Sequence, residues 1–125
     1  MKQRFIRTHD EISDDDEVVV RGGDLDPMIL RTDAVRNHDI YGSYAISVFA
    51  LRDGTIDELA QEPPLVRFAV LTVMRAGDIR SAGLIFEATG RNRRHFSLVF
   101  DDLDDGLARI IGCDHRTLAN PYHEA

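Results

Sequence analysis

The segment Tyr44–Ala50 constrains the fold more than any other part of the chain, because apolar residues occupy both of its alternating faces. Successive side chains of a β-strand point to opposite sides of the sheet, so this strand must be covered on both sides. We therefore expect Tyr44–Ala50 to form a central strand in which Ile46, Val48 and Phe49 are buried. Further elements must then lie above and below the sheet.

Cap signals and apolar periodicity divide the rest of the chain into short elements. Asp26 before Pro27 places an N-cap residue ahead of a proline at the first helical position, which predicts a helix that ends before Gly42. Thr55 and Glu58 have the capping-box spacing and predict a second, shorter helix. Apolar residues predict the other elements, namely strands at 18–20 and 67–74, a helical turn at 78–82 and a helix at 102–111. The tail at 113–125 has no period and is expected to be irregular.

Two apolar runs, at residues 84–89 and 96–100, flank a polar loop and predict a pair of antiparallel strands. Two helical connections followed by this hairpin indicate an α+β fold, with a mixed β-sheet covered by helices and a C-terminal β-hairpin followed by a helix. The length of 125 residues suits one compact domain. We expect that α+β domain at residues 17–125, after a flexible acidic N-terminal arm at residues 1–16 that carries little apolar area.

Acidic residues outnumber basic ones, 22 to 15, which gives a formal net charge of −7. This charge disfavours nonspecific attraction to a phosphate backbone, so we do not expect the protein to wrap DNA. The longest apolar run, residues 68–74, is too short to span a bilayer, and the first residues lack the apolar core of a secretory signal. The single cysteine, Cys113, cannot form an internal disulfide and fits a reducing compartment. The sequence thus predicts a cytoplasmic protein without membrane association.

The loop at residues 90–95 is the strongest candidate for a functional site. It holds three arginines and one histidine between two predicted strands, although the chain as a whole is acidic. The imidazole of His95 can transfer a proton near neutral pH, while Arg93 or Arg94 can stabilise charge that develops on a phosphate. This combination suits metal-independent cleavage of RNA by a small toxin-like enzyme. We predict the catalytic residues His95, Arg94, Arg93 and Glu87, with no metal or cofactor.

Cleavage of a phosphodiester calls for a second proton-transfer group beside His95. Glu87 lies on the strand before the loop, and pairing of the two strands can bring it near His95. His38 and His115 are the other available groups. A non-catalytic interpretation stays open, in which the loop is solvated, Glu87 and the arginines form ion pairs, and the acidic segments bind a basic protein partner.

A third interpretation comes from the order of Arg21 after the first strand, Ser43 at the start of the next, and Glu87 later in the chain. This order resembles that of ADP-ribosyltransferases, and the resemblance implies NAD binding by the first two positions and transition-state stabilisation by Glu87. It covers isolated residues, because neither the family's serine element nor a glutamate motif around Glu87 is present. The neighbouring glycines also have structural uses, since Gly22 and Gly23 can form a turn.

Two groups of residues resemble metal sites without matching one. Cys113, His115 and His123 offer zinc-ligand chemistry, but their spacing differs from the paired spacing of structural zinc sites. The acidic residues at 101–105 lack the glycine and the terminal glutamate of an EF-hand loop. Carboxylates in the first turn of the predicted helix at 102–111 are explained by the helix dipole.

Overall fold

The computed structural model describes residues 2–8 and 11–124. Met1, His9 and Asp10 of the predicted arm, and Ala125 of the tail, lie outside the described residues. The strands are β1 (Glu17–Gly22), β2 (Tyr44–Ala50), β3 (Val70–Arg75), β4 (Ile85–Ala88), β5 (His95–Phe100) and β6 (Arg116–Ala119). The helices are α1 (Pro27–Tyr41), α2 (Ile56–Ala60), α3 (Ala76–Ser81) and α4 (Leu103–Gly112), and a 3-10 turn lies at Leu65–Arg67.

The six strands form one sheet in the order β4-β5-β2-β1-β3-β6, and every neighbouring pair is antiparallel. The α+β class is confirmed, and β2 is central, but the sheet is antiparallel where a mixed sheet was predicted. Because β1 and β2 are antiparallel neighbours, α1 leaves and re-enters the sheet at the same end. The connection from β2 through α2 to β3 does run from one end of the sheet to the other, so β2 and β3 point in the same direction. However, β1 lies between them in the sheet. The two strands that run in the same direction are therefore not paired.

Each face of the sheet carries its own apolar core. The first core joins β1, β2 and β5 to the buried sides of α1, α3 and α4, with the side chains of Val18, Ile46, Val48, Leu98 and Ile110. The second core packs the other side of β1 and β3 against α2 and the 3-10 turn, with Val19, Leu59, Leu65, Leu71 and Val73. Phe49 points to this second face and is partly buried, whereas Ile46 and Val48 are buried as predicted.

The predicted caps set the ends of the helices. The Asp26 carboxylate accepts a hydrogen bond from the Met28 amide, and the Thr55 hydroxyl accepts one from the Glu58 amide. Gly42 ends α1 with a φ of 84°, which turns the chain directly into β2. No helix among the described residues is both long and apolar enough to cross a membrane.

The strand β6 lies in the tail that the sequence predicts to be irregular. It pairs with β3 along its whole length, from Val70 opposite Ala119 to Val73 opposite Arg116. Only Leu118 of its four residues is partly buried, against the second core. An edge strand with one apolar side chain facing the core shows no alternation, so its sequence carries no strand pattern.

The described part of the arm packs along the outer edge of β4. Ile6 pairs with Thr89, the Arg7 amide donates to the Ala88 carbonyl at 2.8 Å, and the Gly90 amide donates to the Phe5 carbonyl at 2.8 Å. Ile12 is 5% exposed and belongs to the first core. Whether the arm moves in solution stays a prediction, but its described residues share the packing and hydrogen bonds of the domain.

Candidate functional site

Polar side chains form a short row on one face of β4, β5 and β2. Ser97 of β5 lies opposite Ser47 of β2 on one side and opposite Glu87 of β4 on the other. His95 is two residues before Ser97, so strand alternation places it on the same face. Thr89, at the end of β4, joins the row, because its hydroxyl oxygen lies 2.7 Å from the Ser97 hydroxyl oxygen and 3.1 Å from His95 Nδ1.

The hydrogen bond to the Thr89 carbonyl fixes the tautomer of His95. His95 Nδ1 lies 2.9 Å from that carbonyl oxygen, which can only accept, so Nδ1 carries the proton. Nε2 then holds the lone pair, and it has no hydrogen-bond partner among the described residues. Burial lowers the pKa of His95; the Thr89 hydrogen bond opposes this shift, and the nearby charge of Arg7 adds to it. A neutral imidazole with a free acceptor nitrogen has the properties of a general base at neutral pH.

His95, Thr89, Ser97 and Ser47 form the floor of a pocket of about 520 Å³. One wall is the arm at residues 2–5, and the other is the polar side of α1. Asp33, Asn37 and Tyr41 lie four residues apart on α1, so they share one side of the helix. This four-residue spacing of polar side chains is the sequence signal that could have identified one side of α1 as a wall of the pocket.

Positive charge is concentrated in this pocket, which we call the His95 pocket. Lys2, Arg4 and Arg36 line it, and none of them has a carboxylate within ion-pair distance among the described residues. Asp33 is the one described carboxylate in the lining, and it lies 3.9 Å from Arg21, measured from Oδ2 to Nη1. The His95 pocket therefore carries a positive charge inside an acidic protein, which favours an anionic ligand.

Arg4 is held in place by uncharged groups. Its guanidinium donates to the Ser43 hydroxyl, to the Ser43 carbonyl at 2.8 Å and to Asn37 Oδ1 at 3.3 Å, and it lies 4.7 Å above the Tyr41 ring. Burial lowers the pKa of Arg4, while the charge of Glu87 acts in the opposite direction. Its Nε atom is buried without a hydrogen-bond partner in the described part of the chain. Arg4 thus presents a fixed, incompletely satisfied cation.

The structure separates the four predicted catalytic residues. His95 lines the pocket, and Glu87 lies on the same face of the sheet without lining it. Arg93 and Arg94 line a second cavity of about 390 Å³, and Arg94 Nη2 lies 3.6 Å from Glu62 Oε1. The cations that share the pocket with His95 come instead from the arm and α1, far away in the sequence, and local patterns missed them.

The alternative proton-transfer groups are placed elsewhere. His38 stacks on the Tyr44 ring at a centroid distance of 4.4 Å, and His115 Nδ1 lies 2.9 Å from the Cys113 carbonyl oxygen. Neither histidine lines the His95 pocket. Tyr41, which does line it, carries a phenol hydroxyl that can give up a proton and take one back.

The residues that resemble ADP-ribosyltransferases do not meet in one pocket. Arg21 lines a third cavity beside Gly22 and Phe68, and Ser43 accepts from Arg4. Glu87 lies on β4, which is separated from β1 by β5 and β2. The residues that the resemblance assigns to NAD therefore lie apart in this fold.

The two groups that resemble metal sites have structural roles here. Asp102 is the N-cap of α4 and accepts from the Asp105 amide at 2.8 Å. Cys113 is buried, which raises the pKa of its thiol, and the charges of Asp78 and Asp114 act in the same direction. Residues 2–8 and 11–124 contain no group of three His, Cys, Asp or Glu side chains that could hold a metal ion.

Much of the acidic surface is occupied by the chain's own arginines. Asp14 lies 2.8 Å from Arg80, and Asp105 lies 2.7 Å from Arg109. Further pairs join Asp15 to Arg75 and Glu17 to Arg116. These carboxylates are less available to a basic partner than the sequence suggests.

Comparisons with protein-family models, with curated proteins and with solved structures find no match for this chain. A neutral imidazole, several hydroxyl groups and three cations in one concave site can bind an anion and transfer a proton beside it.

Proposed function

We propose that the protein is a small, metal-independent, toxin-like ribonuclease of the cytoplasm, with the His95 pocket as its active site. The observation that carries the proposal is the position of His95, which lines the same pocket as Lys2, Arg4 and Arg36 and whose Nδ1 proton is held by the Thr89 carbonyl. A base among cations suits the removal of a proton next to a negatively charged phosphate.

In the proposed reaction, His95 Nε2 takes the proton of a ribose 2′-hydroxyl, and the resulting oxygen attacks the adjacent phosphorus. The bond between phosphorus and the 5′-oxygen of the next nucleotide breaks, which leaves a 2′,3′-cyclic phosphate. The departing oxygen takes a proton from the Tyr41 hydroxyl, and the imidazolium of His95 returns a proton to Tyr41 through solvent. Arg4 and Lys2 stabilise the charge that builds on the phosphate oxygens.

The predicted roles of the other residues change with the geometry. Glu87 does not line the pocket, and its carboxylate acts on the charge of Arg4 from the neighbouring strand. Arg93 and Arg94 lie in the second cavity and do not share the His95 pocket. Arg4 takes the part that the sequence assigned to them.

Phe5 favours a nucleotide over a simple anion. Its side chain lines the pocket beside the three cations and is 60% exposed. Exposed aromatic rings next to cations are the platforms on which single-stranded nucleic acids stack their bases. The charge of −7 disfavours binding to long duplexes, so a single-stranded segment is the substrate of choice.

The test is cleavage of a fluorescent single-stranded RNA by wild type and by His95→Gln, with a chelator present. We expect the substitution to lower the rate at least about 100-fold, because general-base catalysis typically contributes that much. His123→Gln, at an exposed histidine outside the pocket, should cleave at the wild-type rate. A DNA strand of the same sequence should stay intact, since it lacks the 2′-hydroxyl.

Equal cleavage by wild type and His95→Gln would contradict the assignment of His95. Wild-type protein that leaves every RNA intact would contradict the ribonuclease proposal and favour the non-catalytic interaction module. Consumption of NAD with intact RNA would instead favour the ADP-ribosyltransferase-like interpretation.

A further inference from the structure

The second cavity collects three arginines at one end of the sheet. Arg52 follows β2, while Arg93 and Arg94 precede β5. The two strands are antiparallel neighbours, and the Ala50 amide donates to the Arg94 carbonyl at 2.9 Å, so the end of β2 meets the start of β5. All three arginines line the cavity of about 390 Å³, which we call the arginine cavity.

Two arginines of the cavity, Arg52 and Arg94, have side-chain N–H donors without a close acceptor among the described residues. Arg94 Nε is buried and has no partner among the described residues. The contact of Arg94 with Glu62 spans 3.6 Å, and that of Arg52 Nε with Asp53 spans 3.9 Å, so both exceed hydrogen-bond length. A guanidinium carries five N–H donors, and one long contact to a carboxylate leaves most of them available.

Phosphate is the ligand chemistry that fits these donors. Its oxygens accept two parallel N–H bonds from one guanidinium, and arginine is the residue that proteins use for this geometry. Glu11 is the one described carboxylate in the lining, and neither Arg52 nor Arg94 forms an ion pair with it. Glu62 and Asp53 lower the local positive charge, but neither lines the cavity.

The hairpin loop contributes residues to both the His95 pocket and the arginine cavity. Gly90 and His95 line the His95 pocket, and Arg93 and Arg94, between them in the sequence, line the arginine cavity. We infer that the arginine cavity is a second phosphate subsite, which holds a flanking phosphate of the RNA strand whose scissile phosphate lies in the His95 pocket. This inference rests on the proposed ribonuclease function. The subsite would recognise the backbone and not the base sequence.

The experiment measures binding of 2′-O-methyl oligonucleotides, which lack the nucleophile and cannot be cleaved. A dinucleotide, with one phosphate, is compared with a pentanucleotide, with four, by fluorescence anisotropy over a range of salt concentrations. We expect wild type to bind the pentanucleotide more tightly and with a steeper salt dependence. In Arg52→Gln and Arg94→Gln, the slope of log K against log salt for the pentanucleotide should decrease by about 0.7, the value for one lost contact on a single strand. Dinucleotide binding should change little.

Arg67→Gln is the matched control, because Arg67 is exposed, lines neither cavity and loses the same charge. It should keep the wild-type slope and the preference for the longer strand. An unchanged slope in both cavity variants, or an equal loss in Arg67→Gln, would overturn the subsite. So would equal affinity of wild type for the two lengths.

Failure of the subsite and failure of the ribonuclease proposal give different results. Cleavage that depends on His95, together with unchanged binding in the arginine variants, would overturn the subsite alone. Length-dependent binding that requires Arg52 and Arg94, without any RNA cleavage, would support the phosphate subsite and contradict the catalytic proposal. Tight binding to a basic protein, without oligonucleotide binding, would overturn both.

Discussion

At the scale of single residues, the protonation of His95 determines what the pocket can do. The Thr89 carbonyl fixes the proton on Nδ1, and burial disfavours the charged ring. Phe49 contributes to this burial, since its ring meets the imidazole edge-on at a centroid distance of 5.5 Å. A fully exposed histidine in the same loop would be more readily protonated and a poorer base at slightly acid pH.

The lowered pKa of His95 predicts how activity and stability depend on pH. The proposed general base is the neutral ring, so activity should rise with pH through a midpoint below 6.5, the ordinary pKa of the group. Stability should change in the same direction. As the pH falls through the interval below 6.5, the unfolded chain binds a proton before the folded one does, so the free energy of unfolding decreases. Urea denaturation at about pH 7.5 and about pH 5 measures this effect, and His95→Gln should show a smaller decrease than wild type. An equal decrease in both proteins would contradict a lowered pKa.

The sequence identified His95 but not the residues around it. A histidine in a short polar loop between apolar strands is a local pattern, and local patterns are visible in a single chain. The contacts of Arg4 with Ser43 and Asn37 join positions 39 and 33 residues apart, and nothing in the sequence near Arg4 predicts them. The placement of Arg94 in another cavity likewise depends on how β2 and β5 meet, which propensity does not determine.

At the scale of elements, the N-terminal arm stabilises the hairpin loop at residues 90–95 through hydrogen bonds. The Arg7 guanidinium donates to four carbonyl oxygens that surround the loop, those of Thr89, Gly90, Arg93 and His95. It also lies 5.2 Å from the centre of the Phe96 ring. One side chain thus satisfies several backbone acceptors that a turn of this shape leaves unpaired.

Arg7→Lys should loosen this loop, because an ammonium group cannot reproduce the fork of the guanidinium. We expect a loss of about 1.5–3 kcal/mol in the free energy of unfolding, the range for hydrogen bonds to charged groups. Amide exchange should become faster at Gly90, whose N–H is bonded to the Phe5 carbonyl. Arg91→Lys, at an exposed arginine of the same loop, is the control and should change neither quantity. Unchanged exchange at Gly90 in Arg7→Lys would show that the arm does not hold the loop.

The sequence predicted the helices most accurately and the order and direction of the strands least accurately. Capping depends on residues a few positions apart, so Asp26 and Thr55 identified the starts of α1 and α2 directly. Strand order depends on long-range pairing, and the path of α1 back to the same end of the sheet cannot be read from its length. β6 was missed for a similar reason, since its pairing with β3 does not require an alternating pattern.

At the scale of the whole molecule, one sheet supports two cores. Strands β1, β2 and β3 contribute side chains to both faces, so the two cores share a backbone. The apolar residues on both faces of β2 predicted that the sheet is covered on both sides. The two cores provide that covering. Loss of packing on one face should therefore weaken the pairing that the other face needs.

Leu98→Ala and Leu71→Ala test this coupling, because the two leucines are buried in different cores, at 0% and 1% exposure. Each substitution should lower the free energy of unfolding by about 2–5 kcal/mol through lost transfer energy and the cavity left behind. Unfolding should remain a single transition, with methyl NMR signals from both cores disappearing at the same urea concentration. Ile85→Ala, at a residue that is 55% exposed, should change stability by less than about 0.5 kcal/mol. If Leu71→Ala melted the second core while the first kept its wild-type midpoint, the chain would contain two independent units. The single sheet would then not be the common frame of the His95 pocket and both cores.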